Sequence, residues 1–147
     1  MTRPTLHLTN WSSRKLHGPG LRFGIMARPR RWEHGDGKVL RLIPDANEAP
    51  LMLRALADRA NVATMLAYRD AIEARWAGDN FLVPWRLVAM TTRETSLAPA
   101  GEWIPVRDGD SILCACAVGA ECHRRWAAPF LVRAGWRVLL DGVEVVL

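Results

Sequence analysis

The stretch that decides the fold reads Asp110-Ser-Ile-Leu-Cys-Ala-Cys-Ala-Val-Gly-Ala-Glu-Cys-His-Arg-Arg-Trp126. Ser111–Ala117 is small and apolar, the length of a buried strand. Gly119 supplies a turn, and an amphipathic helix is expected from Cys122 to Ala134, with Gly135 as its C-terminal stop. Trp136–Leu140 then predicts a strand, Asp141-Gly142 a turn, and Val143–Leu147 a last short strand or tail. Strand, helix and strand in that order predict a parallel pair with a right-handed crossover. Open α/β sheets hold ligands just beyond their strand ends, so chemistry is expected at this loop and helix start.

Working outward, Thr5–Thr9, Leu21–Ala27 and Val39–Ile43 read as strands, the last stopped by Pro44. A helical stretch opens near Asp45. A second runs from Val62 to Ala77, with Met65, Leu66, Ile72 and Trp76 near helical spacing. Whether these are one kinked helix or two is open. Phe81–Met90 predicts a strand, and Glu102–Val106 a short extended piece before the Asp108-Gly109 turn. Neither an internal repeat nor a linker interrupts the chain. The expectation is one α/β domain over residues 1–147, a mostly parallel, Rossmann-like sheet with helices on its faces.

The chain has 147 residues, half of them hydrophobic and 24% charged, which is ordinary globular composition. No run approaches the roughly 18 apolar residues of a membrane span, so no membrane partner is expected. Three clustered cysteines do not form a disulfide framework, and a reducing, cytoplasmic setting fits them best. The net charge of +5 is unevenly placed: residues 1–43 hold nine Lys or Arg against Glu33 and Asp36, an excess of +7. That basic segment is a candidate surface for phosphates, or simply a solvated face.

The chemistry is expected to centre on Cys122, His123 and Arg124. A helix's first turn has free N–H groups and partial positive charge, so it attracts anions. Arg124 and Arg125 would add charge-assisted donors, and Arg suits phosphate or carboxylate because its fork is bidentate. The same field favours the thiolate of Cys122, and His123 could carry a proton near neutral pH. The plainer reading is a buried structural cysteine with His and Arg on the helix surface.

A metal site competes with this reading, since Cys114, Cys116, Cys122 and His123 are zinc-type ligands within ten residues. However, Cys-x-Cys in a strand points its side chains to opposite faces, and Cys122 and His123 should diverge at a helix start. No metal is therefore expected. An arginine six positions after a cysteine, Cys-x-x-Cys and the zinc-deaminase signature are all absent. So are the Walker and dinucleotide glycine fingerprints, and no cofactor is implied.

The loop after the first strand carries Ser12, Ser13, Arg14, Lys15 and His17, with Gly18 and Gly20 allowing close approach of a ligand. Arg28, Arg30, Arg31 and Trp32 extend the cationic character and add a stacking surface for nucleic acid. Against this stands an ordinary exposed loop. Trp76 and Trp136 read as core.

Leu113-Cys114 followed by Cys122-His123-Arg124 resembles a bacterial and phage domain-of-unknown-function family, numbered 488, and related small families. An apolar strand ending in Leu-Cys, a short loop and Cys-His-Arg at a helix start carry the resemblance. Ala127, Ala128, Leu131, the Gly135–Leu140 strand and Ser12-Ser13-Arg14 fit it too. It covers residues 111–140 firmly and 5–20 more loosely. It implies a small α/β domain with Cys122, His123 and Arg124 at a shared site, and supplies no reaction. The rest of the chain has a phage-like look without a motif behind it.

Together these readings favour an enzyme or binding domain for a phosphorylated compound, a nucleotide or a nucleic-acid end. Cys122 or Cys116 would be the nucleophile and His123 the proton carrier. Arg124, Arg125, Ser12, Ser13 and Arg14 would hold the ligand, and Lys15, Arg28, Arg30, Arg31 and Trp32 would meet nucleic acid. The competing class is a non-catalytic nucleic-acid-binding or interaction protein, with or without a structural zinc at the Cys/His cluster. The two differ in salt-dependent DNA binding and in metal content.

Overall fold

Strand β1 (Thr5–Asn10) lies in the parallel heart of the sheet, between β6 (Ser111–Cys114) and β7 (Arg137–Leu140). The structure is a computed structural model that describes residues 2–26, 35–43, 62–79, 87–92, 98–115 and 122–147. The other strands are β2 (Arg22–Gly24), β3 (Gly37–Lys38), β4 (Val88–Thr91), β5 (Trp103–Pro105) and β8 (Val143–Glu144). They join in the order β5-β4-β3-β2-β6-β1-β7-β8. Helix α1 covers Val62–Asp79 and α2 covers His123–Arg133.

This is an α/β architecture, but strands dominate it and the sheet is only partly parallel. The run β3-β2-β6-β1-β7 is parallel, whereas β4 and β5 on one side and β8 on the other pair antiparallel. The expected β6-α2-β7 unit is present, with β1 inserted between its strands rather than the two pairing directly.

Register explains which residues face the helices. Phe23, Ile112 and Leu8 form one row across β2, β6 and β1, and Leu6 pairs with Val138. Side chains two apart share a face, so Cys114 lies beside this row at the end of β6. All are buried, and they pack in one cluster with Tyr68 and Ile72 of α1 and Ala127, Phe130 and Leu131 of α2. The small Ala127 and Ala128 are buried in this packing, where longer side chains would hold α2 away from its neighbours.

The termini of α2 are well defined. Cys122 is its N-cap, in extended conformation. At the other end Gly135 (φ 109°) donates to the Val132 carbonyl and Trp136 to that of Leu131, a Schellman stop that needs the left-handed glycine. Asp141 (φ 49°) and Gly142 (φ 84°) form the two-residue turn between β7 and β8, where both central residues need positive φ.

Three expectations are corrected. Val39–Ile43 is not a strand: Gly37–Lys38 pairs instead, and Leu40–Leu42 is a 3-10 turn. Three residues per turn put Val39 and Leu42 on one inner face while Leu40 stays 40% exposed. On α1 the inward residues are Tyr68 and Ile72, with Leu66 49% exposed. Tyr68 donates its hydroxyl to the Leu42 carbonyl (2.8 Å), which ties α1 to that turn. Strand β2 is shorter than Leu21–Ala27, and Ala27 lies outside the described residues. The expected starts at Asp45 and Phe81, and the Trp76 side chain, also lie outside them.

Candidate functional site

The parallel strands β6, β1 and β7 end together, and the N-terminus of α2 sits over that edge. Cys114 closes β6, Thr9 and Asn10 close β1, and Asp141 follows β7. Arg124 connects them. Its Nη1 donates to Cys114 Sγ at 2.8 Å and to Cys122 Sγ at 3.4 Å, and the two sulfurs are 3.3 Å apart. Its Nη2 donates to both Asp141 carboxylate oxygens, at 3.2 and 3.1 Å. Asp141 Oδ1 also accepts the Thr9 hydroxyl at 2.9 Å.

The guanidinium is fully buried, and both sulfurs are at most 2% exposed. Burial works against the charge of Arg124, but Cys114, Cys122 and Asp141 together outweigh it and push its pKa above the ordinary arginine value. A buried charge persists only where partners and hydrogen bonds balance it. Here a carboxylate on one nitrogen and two polarizable sulfurs on the other do so.

His123 points elsewhere. Its Nε2 lies 2.7 Å from the Ile25 carbonyl, and since a carbonyl only accepts, that nitrogen carries the proton. Tyr68 meets the ring edge-on at 5.9 Å between centroids. Burial holds the imidazole below the ordinary histidine pKa, and Arg124 adds to this. The Cys114 sulfur and the Ile25 carbonyl oppose it. The expected divergence of Cys122 and His123 is thus seen in their partners, one turned to Cys114 and the other to Ile25, just beyond β2. Among the described residues no three His, Cys, Asp or Glu side chains converge as a metal set.

The loop after β1 starts at the same edge. Trp11 donates its backbone N–H to the Cys114 carbonyl (3.1 Å), and Ser13 donates its own to Asn10 Oδ1 (2.8 Å). Ser12, Arg14 and Lys15 are exposed, the last two in a 3-10 turn, and Ser13 is half-buried. Among the described contacts nothing joins Ser12, Ser13 or Arg14 to Arg124. Arg125 is also exposed, one residue beyond the buried guanidinium.

The loop then runs back over the face opposite α2. His7 and Ser111 stand in register on that face. Gly18 donates to Ser111 Oγ (2.8 Å), Gly20 to the Gly109 carbonyl (3.0 Å) and Leu21 to Asp110 Oδ1 (2.8 Å). A Cβ on Gly18 would collide with the Gly109 carbonyl and the His7 ring, and one on Gly20 with Asp110. These glycines therefore bring the loop close to its own sheet, not to a ligand.

Of the expected site residues, Cys122, His123 and Arg124 cluster at one helix start. Cys116, Arg28, Arg30, Arg31 and Trp32 lie outside the described residues. Arg124 was expected to hold an external anion; its described bonds all go to protein groups. Cys114, Asp141 and Thr9 were missed as partners. Strand parity could have found Cys114, since it shares the face of Ile112 at the end of its strand. Asp141 is legible only as a turn residue, because its partner Arg124 comes from a different element. Comparison with family models, with curated proteins and with solved structures finds no match.

Proposed function

We propose that this protein is a small α/β enzyme acting on a phosphate-bearing compound, with a nucleotide as the favoured class, and that Cys122 supplies the sulfur nucleophile. One observation carries the reading: a buried guanidinium donates to both sulfurs beside a helix N-terminus. Cationic donors and the positive end of a helix favour thiolate over thiol. The phosphate would rest on the first-turn N–H groups of α2 and on exposed Arg125, with Ser12, Ser13 and Arg14 closing the other side. Arg124 then holds the nucleophile rather than the substrate. His123 anchors α2 to Ile25, just beyond β2, and leaves Nδ1 for proton transfer. A reducing, cytoplasmic setting suits such a thiolate. Membership of the family numbered 488 belongs to the same proposal.

The test is thermal unfolding with inorganic phosphate and each nucleoside triphosphate, repeated on Arg125→Ala and Arg14→Ala. The expected result is a rise in Tm with at least one nucleotide, reduced in both variants. No rise with any of them, or a rise untouched by both substitutions, would overturn the reading.

Exposed, consecutive Arg14 and Lys15 favour a second reading, non-catalytic binding of nucleic acid. Its mark is DNA binding that weakens steeply with salt, with a slope flattened by Arg14→Ala and Lys15→Ala together.

A further inference from the structure

We propose that Cys114 and Cys122 are a peroxide-responsive redox couple, closing to a disulfide across the end of β6 and the start of α2. Two sulfurs from separate elements stand 3.3 Å apart, in non-bonded contact, within hydrogen-bond reach of one guanidinium nitrogen. A disulfide needs about 2.05 Å, so only a small inward movement of the N-cap separates the two states.

The charges favour one thiolate beside one thiol. Asp141 balances the guanidinium once. The helix terminus adds about half a positive charge, enough to favour one further anion and not two. The remaining thiol can then donate its proton to the neighbouring thiolate, consistent with the sulfur–sulfur contact. A pair retained only as small apolar filler would not need a buried arginine against it. A soft cation would be repelled by that same guanidinium.

Cys122 is the residue oxidised first, because it caps the helix and the positive end of the helix favours its thiolate. Its thiolate attacks one peroxide oxygen; the S–O bond forms, the O–O bond breaks, and hydroxide leaves as water with the Cys114 proton. Cys114 sulfur then attacks Cys122 sulfur. The S–S bond forms, and the S–O oxygen leaves as water with the proton that Cys122 released on ionising. The sulfurs lose two electrons and the peroxide gains them. A small thiol restores the pair by exchange. A peroxide has only two heavy atoms, which suits sulfurs buried this deeply. The couple does not depend on the phosphate reading, although oxidation would remove the nucleophile that reading needs.

The experiment uses the full chain carrying Cys116→Ser, so that Cys114 and Cys122 are its only cysteines. Hydrogen peroxide is added, followed by an alkylating reagent and intact-mass measurement. The expected result is a loss of the mass of two hydrogens, no alkylation, and recovery of both thiols with a small thiol. Cys114→Ser, in the same background, should instead give a sulfenic acid on Cys122, trapped by a dione reagent. Replacing Arg124 by Lys should slow oxidation about tenfold, because a single ammonium cannot reach the sulfurs and Asp141 together as the two-nitrogen fork does. Retained alkylation of both cysteines, or gains of oxygen on each without a link, would overturn the couple. So would a disulfide seen in the parent chain but absent from Cys116→Ser.

Discussion

Asp141 grips the Arg124 guanidinium with both carboxylate oxygens, at 3.1 and 3.2 Å, from a hairpin turn that its own positive φ helps to make. One residue thus shapes the β7–β8 turn and balances the buried charge of α2. Replacing it by Ala should cost about 3–5 kcal/mol, the usual loss when one partner of a buried pair is removed. Asn tolerates the left-handed backbone and can still bond Thr9, so it should cost less than Ala. Urea unfolding measures both. A loss under about 1 kcal/mol in Asp141→Ala would mean the pair behaves like a surface ion pair.

His123 should make stability fall on acidification. Its folded pKa lies below the ordinary histidine value, chiefly through burial. The unfolded chain therefore binds the extra proton first as pH drops. The stabilisation is complete above about pH 6.5 and is lost as pH falls towards the folded pKa. The slope approaches about 1.4 kcal/mol per pH unit at most. His7 shifts in the same direction, again chiefly through burial, so the wild type alone cannot assign the slope. Denaturant unfolding of His123→Gln between neutral pH and about pH 5 isolates it. Parallel curves for variant and wild type would refute the assignment.

Gly18→Ala should destabilise by about 1–3 kcal/mol, the range for overpacking. The added methyl has no room between the Gly109 carbonyl, in the turn before β6, and the His7 ring on β1. The backbone there is not left-handed, so the effect is steric. A neutral outcome in thermal unfolding would show that the loop after β1 can lift from the sheet.

Tyr68→Phe should cost about 1–3 kcal/mol, because the buried Leu42 carbonyl loses its described partner while the ring still packs. Equilibrium unfolding checks this, and hydrogen exchange should rise in α1 before the central strands.

Element order was largely readable, because local chemistry writes it. The Asp141-Gly142 pair announces its turn, Gly135 its helix stop, and the apolar run at Ser111–Cys114 its buried strand. The insertion of β1 between β6 and β7 was not readable, since pairing over such separations leaves no local pattern. Val39–Ile43 misled because an apolar run suits either a strand or a 3-10 turn. At the site, Cys122, His123 and Arg124 were legible from adjacency. Whether Arg124 faced outward was not: that depended on the Asp141 carboxylate and the Cys114 sulfur converging on it, and three elements had to assemble first.

The position of β1 also bears on how the chain is made. His7 pairs with Ser111 and Leu6 with Val138, so both neighbours of the strand are translated more than a hundred residues after it. Throughout that interval the emerging polypeptide carries a strand with two bare edges, a state prone to mispairing. Contacts of such separation fold slowly, because a long loop must close before anything is gained. Completion therefore waits until the ribosome has delivered β7. Until then neither edge of β1 can meet its native neighbour.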